Sequence, residues 1–225
     1  MTYRRIPLAP NEWFHCYSRG VEKRKVFETT SDYLRFTQML YLANNVAPVE
    51  RSSFDRDITH EEILSLPRKE LIVAIGAYCL MPSHFHLILK ALTEGGITKF
   101  MRKLSTGYTM YFNVKRARVG NLFVKPFRSK HISDNIYFKQ VVPYVLFNPI
   151  ELFEPQWKTG SGELKKIENK LFQYQYSSLI DFFGQNRPEG AITGNMLREF
   201  YPNPDFTEML CNAQEFYRTR TTTLV

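Results

Sequence analysis

Residues 71–92 read LIVAIGAYCLMPSHFHLILKAL, and the reading of this stretch decides the fold. Leu71 to Leu80 is an apolar, β-compatible run, Met81-Pro82-Ser83 interrupts it, and His84 to Leu92 resumes it, which predicts a β-hairpin. Upstream, Trp13 to Ser18 predicts a short aromatic strand that stops at Arg19-Gly20. Between this strand and the hairpin, Leu34, Met39, Leu40 and Leu42 recur at roughly helical spacing behind Ser31 as a cap. An insertion over 45–70 follows, marked by Pro48 and Pro67, with a short helix that Thr59 and Glu62 start as a capping box. Downstream, Gly95-Gly96 ends the hairpin, Ile97 to about Arg118 has the periodicity of a long helix, and Leu122 to His131 reads as strand and loop. Ser133 or Asp134 then caps a helix that runs through Tyr137 and Tyr144 to Asn148-Pro149, because a residue before proline is biased out of the helical region. The order β-α-β-β-α-β plus a helix predicts an α+β fold, a ferredoxin-like split βαβ sheet with helices on one face. After Pro149 the composition changes: Pro155, Gly160 and Gly162 mark a linker, and Tyr176 to Phe183 and Met196 to Phe200 are amphipathic pieces. Residues 1–150 are therefore read as one domain and 151–225 as a helical C-terminal extension.

The 225 residues are 44% hydrophobic and 23% charged, enough for a sizeable core. No stretch approaches the roughly 18 to 20 apolar residues of a membrane span, and the opening MTYRRIPLAPNEW has no apolar h-region. A cytoplasmic protein with no membrane partner is expected. Cys16, Cys79 and Cys211 are odd in number and widely spaced, which argues for reduced thiols rather than a disulfide framework or a zinc knuckle.

The formal net charge is +8, and its distribution says more than its size. From Gly95 to Ser133 there is no acidic residue, while Lys99, Arg102, Lys103, Lys115, Arg116, Arg118, Lys125, Arg128 and Lys130 all fall inside. Such a block seeks phosphates, and the interleaved Phe100, Tyr108, Tyr111, Phe112, Phe123 and Phe127 add stacking surfaces suited to single-stranded nucleic acid. Arg102, Lys103, Tyr108, Lys115, Arg116, Lys125, Arg128 and Lys130 are the expected contacts, with Arg19 at the end of the first strand.

His84-Phe85-His86 is the pattern with most chemical content. Residues i and i+2 of a strand face the same way with Cα atoms roughly 6.5 to 7 Å apart, so both imidazoles converge on one point as a workable pair of metal ligands. Two histidines on a half-exposed strand would read the same way. Tyr144 and Asn148, four apart on a helix, present a phenol and an amide on one face. If that face meets the histidine strand, Asn148 can lend a carbonyl oxygen to a hard divalent ion and Tyr144 can attack a phosphate. Tyr108, Tyr111 and Tyr137 are weaker candidates as nucleophile, and His15 reads as a core or inter-strand histidine near the site.

The segments FHCYSRG (14–20), SDYLRF (31–36), AYCLMPSHFHLIL (77–89), YFNVKRARVGNLFVKPFRSKHI (111–132) and YVLFNP (144–149) together resemble the single-tyrosine HUH transposases of short bacterial insertion sequences. Within that family the REP-associated tyrosine transposases are the most similar branch. The resemblance covers nearly all of residues 12–150, and MPSHFHLIL is its most specific part. It implies His84, His86 and Asn148 as ligands of Mg²⁺ or Mn²⁺ and Tyr144 as the nucleophile. It also implies the reaction: a cut in single-stranded, hairpin-forming DNA that leaves a 5′-phosphotyrosine link and a free 3′-hydroxyl. Family relatives include dimers that exchange the tyrosine helix and monomers that act in cis, so a homodimer stays open. Many relatives carry glutamine where Asn148 stands, Pro143 precedes the tyrosine, LFVKPF lacks a Gln-Arg pair, and Glu151 takes a place where a base is frequent. These departures keep a second reading in view, a domesticated, non-catalytic nucleic-acid-binding protein of the same fold.

Overall fold

The structure, a computed structural model, describes residues 8–47, 57–159 and 163–221. Pro48, Gly160 and Gly162, read above as insertion and linker markers, lie outside the described residues. Strand β1 (Trp13–Arg19) leads to helix α1 (Thr30–Leu42), a short α2 (His60–Ser65), strands β2 (Val73–Met81) and β3 (His84–Ala91), helix α3 (Gly96–Lys115), strand β4 (Arg128–His131) and helix α4 (Asn135–Phe147). The strands form one sheet in the order β2-β3-β1-β4, every neighbouring pair antiparallel, as a split βαβ arrangement requires.

Alternation along the strands sorts the sheet into two faces. Phe14 and Cys16 of β1, Tyr78 and Leu80 of β2, and Phe85, Leu87 and Leu89 of β3 join one core with α1 and α3, which contribute Phe36, Leu40, Phe100, Leu104 and Tyr108. The two crossover helices thus share one face, as expected. The opposite face carries Ala77, Cys79, Met81 and Ile88, and a second core covers it with α4 and the residues after it. Gly76 stands at a register shift between Ile75 and Ala77, where an added Cβ would lie 3.0 Å from the Trp13 ring, so the bulge that turns β2 also needs the missing side chain.

One helix start differs from the sequence reading. Helix α1 is capped by Thr29, not Ser31, because Asp32 at the third helical position accepts the Thr29 backbone N–H at 3.0 Å. Of the four apolar positions read for it, Leu40 and Leu42 are buried and Leu34 and Met39 only partly covered, and Tyr33, Phe36 and Tyr41 are buried besides. The capping box at Thr59 and Glu62 is present as read, as is the Asp134 cap of α4, which accepts the Tyr137 N–H at 2.8 Å. Pro143 sits inside α4 and leaves the Lys139 carbonyl without its intrahelical donor, yet the helix continues to Phe147. Beyond it come α5 (Leu164–Phe172), α6 (Leu179–Phe182), α7 (Gly190–Thr193) and α8 (Phe206–Thr221), the last lying along α4. Cys16 and Cys79 are buried and Cys211 is exposed, and none of the three is in a disulfide among the described residues. Among the described residues no helix is long and apolar enough to cross a membrane.

Candidate active site

The register of the central strands places the site. Tyr17 pairs with His86, Arg19 with His84 and, on the other edge of β1, Tyr17 with Arg128 and His15 with Lys130. Directly opposed residues share a face, so His15, Tyr17, Arg19, His84, His86, Arg128 and Lys130 all lie on the side of the sheet that α4 covers. A cavity of about 380 Å³ opens there, lined by Tyr17, Ser18, Arg19, His84, His86, Val124, Pro126, Arg128 and Tyr144.

Helix α4 delivers Tyr144 over the histidines. Its ring meets that of His86 edge-on with centroids 5.5 Å apart and that of His15 at 5.7 Å. The rings of His84 and His86 are themselves 5.1 Å apart and perpendicular. Asn148, one turn beyond Tyr144 and buried, sits beside the His84 ring. Burial, reinforced by the charge of Arg19, pushes the His84 imidazole below its ordinary value, partly offset by Glu151 and by the Asn148 amide. His84 is therefore a neutral ring with a lone pair at neutral pH, its Nδ1 held by the Ser83 hydroxyl at 3.2 Å.

The four residues expected at a reaction centre are thus brought together by one chain. Among the described residues no group of three or more His, Cys, Asp or Glu side chains is arranged to hold a metal. The donor set here is of another kind, two imidazoles and an amide oxygen. Among the described residues the buried Asn148 Oδ1 makes no hydrogen bond of normal geometry and faces only the His84 ring, while its Nδ2 donates to the Tyr217 hydroxyl at 3.3 Å. A buried acceptor left unsatisfied beside a neutral imidazole is what a hard or borderline cation completes, so the residues fit Mg²⁺ or Mn²⁺.

The basic block divides. A second cavity of about 360 Å³ adjoins the first through Ser18, Val124 and Pro126, and Arg102, Lys125, Ser105, Thr106 and Thr109 line it. Arg102 and Lys125 thus extend a path that Arg19 and Arg128 begin, whereas Lys130 lines neither cavity and holds its ammonium 4.4 Å over the Tyr137 ring. The other expected contacts are engaged within the protein. Lys103 donates to the carbonyls of Asn45 at 2.5 Å and Ala47 at 3.2 Å, and Lys115 and Arg116 each reach Asp32 at 2.8 Å. Tyr108 is no stacking surface for bases: it is fully buried, packs on Phe27 and Phe36, and donates to the Val26 carbonyl at 2.5 Å.

Three residues the sequence reading did not assign to the site also belong to it. Tyr17 lies against both His15 and His86, with centroids at 5.0 and 5.5 Å. Phe216 and Tyr217 of α8 pack on Tyr144 at 4.5 and 4.9 Å. Burial, with Tyr144 and Glu151 adding to it, drives the Tyr217 phenol far above the ordinary range, so it remains a protonated hydrogen-bonding group toward Tyr144 and Asn148. The alternation of FHCYSRG carried a signal for Tyr17, whereas nothing local marked α8.

A larger cavity of about 800 Å³ lies away from these groups, between α2 and residues 181–198. Its Arg187 is engaged by Asp181 at 2.6 Å and by the carbonyls of Gln175 and Ser177, so this guanidinium serves the packing of residues 175–187.

No family model matches the sequence, and no curated protein matches it. Among solved structures, the fold matches that of a REP-associated tyrosine transposase bound to a REP hairpin, with a TM-score of 0.51 and 14% identity over 84% of this chain and 90% of that one. At that identity the likeness speaks for the shared fold.

Proposed function

We propose that this chain cuts and rejoins single-stranded DNA beside a hairpin, with Tyr144 as nucleophile and a divalent cation as its cofactor. The observation that carries this reading is the meeting of His84, His86 and Tyr144 on the wall of one cavity that also holds Arg19 and Arg128, with Asn148 buried beside His84 behind that wall. The likeness in fold to a protein bound to a REP hairpin supports the hairpin as the class of substrate.

His84, His86 and Asn148 would hold Mg²⁺ or Mn²⁺, and such an ion would polarise a bound phosphate and offset charge on its oxygens. Arg19 and Arg128 place guanidinium groups at the mouth of the cavity, where they pair with phosphate oxygens and hold the scissile group against Tyr144. The Tyr144 hydroxyl gives up its proton as its oxygen attacks phosphorus, the bond to the 3′-oxygen breaks, and the leaving 3′-oxygen takes up a proton in exchange. The strand stays attached through a 5′-phosphotyrosine, so bond energy is kept for the return of a 3′-hydroxyl. An aryl oxide, with an unperturbed pKa near 10, leaves more readily than an alkoxide in that reverse step. Because Tyr144 reaches the histidines of its own chain, the geometry favours action in cis.

One observation favours the non-catalytic alternative. Tyr144 is packed against Phe216 and Tyr217 of α8, which restricts its approach to a phosphate. The deciding experiment uses end-labelled single-stranded hairpin DNA with Mn²⁺ or with EDTA, resolved by denaturing electrophoresis. A metal-dependent covalent adduct that disappears in Tyr144→Phe supports the enzyme. Binding without an adduct under any divalent metal supports the binding protein, and cleavage that survives Tyr144→Phe assigns attack to water instead.

A further inference from the structure

His15 is a buried imidazole that the mechanism above does not use. It stands on β1 opposite Ile88, one pleat from the Tyr17–His86 pair, so its contact with His86 is the diagonal one across two central strands. Its Nε2 lies 2.9 Å from the Nδ1 of His86. The ring planes are within 25° of each other with centroids 5.1 Å apart, so the rings meet edge to edge, nitrogen toward nitrogen. His86 lines the cavity and His15 does not.

We infer that His15 is a positioning residue for His86: its Nε2 accepts the Nδ1–H of His86 and thereby fixes His86 in the tautomer whose lone pair, on Nε2, serves the cavity. The inference rests on the cation-assisted reading above. A neutral imidazole carries one N–H. If His86 accepted from His15 instead, its own N–H would sit on the second nitrogen and close it to a cation. An acceptor held behind a ligating histidine selects between these two forms and fixes the orientation of the ring. Three features of the fold suit His15 to the task. It is anchored on a central strand with neighbours on both sides, its burial keeps water from competing for the bond, and Tyr17 stacks on it at 5.0 Å. Asn148, by contrast, is held through Tyr217 on a helix. The two sides of the ligand set are thus braced by different elements.

The test compares His15→Phe, which keeps a flat ring and removes the acceptor, with His15→Gln, which keeps a carbonyl oxygen able to accept. Mn²⁺ binding to the DNA-free protein is followed by electron paramagnetic resonance, and the tautomer of His86 is read without metal from long-range ¹H–¹⁵N correlations. The expected result is His86 protonated on Nδ1 in the unaltered protein, with Mn²⁺ affinity lowered about 10- to 100-fold in His15→Phe and largely restored in His15→Gln. A His86 proton on Nε2 in the unaltered protein overturns the inference. So does unchanged Mn²⁺ affinity in His15→Phe. Equal loss in both variants, with near-ultraviolet circular dichroism intact, reduces His15 to packing and also overturns it. If the unaltered protein binds no Mn²⁺, the cation-assisted function fails, while the metal-free tautomer still decides whether His15 holds His86.

Discussion

Replacing Asp32 by asparagine should destabilise the fold strongly at neutral pH and hardly at all in acid. Asp32 has no exposed surface, and both its oxygens are crowded with donors. Oδ2 accepts the backbone N–H of Glu28 and of Thr29 at 3.0 Å each and the Arg116 guanidinium at 2.8 Å. Oδ1 accepts the Lys115 ammonium at 2.8 Å and the Tyr111 hydroxyl at 3.2 Å. Asparagine fits the space but offers one acceptor oxygen, so its NH₂ must face either an ammonium and a phenol or two backbone donors. Removing one partner of a buried pair costs about 3–5 kcal/mol, and the lower end applies because Lys115 and Arg116 keep part of their access to water. For a chain of 225 residues about 3 kcal/mol lowers Tm by roughly 6–12 °C. The pH dependence follows from the carboxyl. Burial would raise its pKa, but hydrogen bonds from Lys115, Glu28, Arg116 and Thr29 outweigh burial and hold it far below the usual carboxylate range. A depressed folded pKa gives stability that is complete above the unfolded value near 3.9 and is lost as pH falls below it. Thermal unfolding followed by circular dichroism at pH 7 and at several steps below pH 4 should therefore show two curves that converge in acid. A Tm within about 2 °C of the unaltered protein at pH 7 would refute the reasoning, as would a gap that stays constant through the acid range.

Tyr217→Phe removes the acceptor of the Asn148 Nδ2 while leaving the aromatic stack on Tyr144 in place. A loss of about 1–3 kcal/mol is expected from the stranded amide, together with weaker Mn²⁺ binding as Asn148 turns; calorimetry and metal titration check both. Arg102→Ala combined with Lys125→Ala should flatten the dependence of log Kd on log salt for single-stranded DNA by about 1.4, two contacts at roughly 0.7 each. Lys115→Ala should leave that slope unchanged, because Lys115 is occupied with Asp32, and a slope that moves equally in both variants would disprove the division of the basic block.

The hairpin, the split βαβ order and the convergence of both histidines on one face were legible because strand alternation is local and rigid. The meeting of Tyr144 and Asn148 with that face was legible only conditionally, since it depends on which side of the sheet α4 takes. Tyr108 shows a different limit. Phe100, Leu104, Tyr108 and Phe112 recur every four residues and form the buried stripe of α3, so the sequence held the evidence that this tyrosine faces inward. Reading the basic block as a linear run of charges and rings obscured that helical period. The Tyr217–Asn148 contact was not legible at all, because 69 residues separate its partners and tertiary packing alone joins them. The Thr29 cap was missed for a smaller reason: Ser31 is also a capping residue type, and only the Asp32 contact to the Thr29 N–H tells which starts the helix.

The extension after residue 150 reads in sequence as an appendage, but its packing argues that the first 150 residues do not fold alone. The core on the active-site face of the sheet is shared: Val141, Val142 and Val145 of α4 bury themselves against Phe206, Met209, Leu210, Ala213 and Phe216 of α8, and Phe147 meets Phe206 at 4.9 Å. Removing residues 151–225 would return a whole side of α4 to water. Four large side chains at about 2 kcal/mol each amount to about 8 kcal/mol. That is comparable to the entire stability of an ordinary domain, about 5–15 kcal/mol. A fragment of residues 1–150 should therefore keep its far-ultraviolet signal, lose its near-ultraviolet signal, bind a hydrophobic dye and melt without a cooperative transition. The helix that carries Tyr144 would lose its seat first, because the sheet's other core, with α1 and α3, lies on the far face and takes only Ile192 and Tyr176 from the extension. A sharp transition within about 10 °C of the whole chain's would show instead that the change in composition near Pro149 marks the border of an independent folding unit.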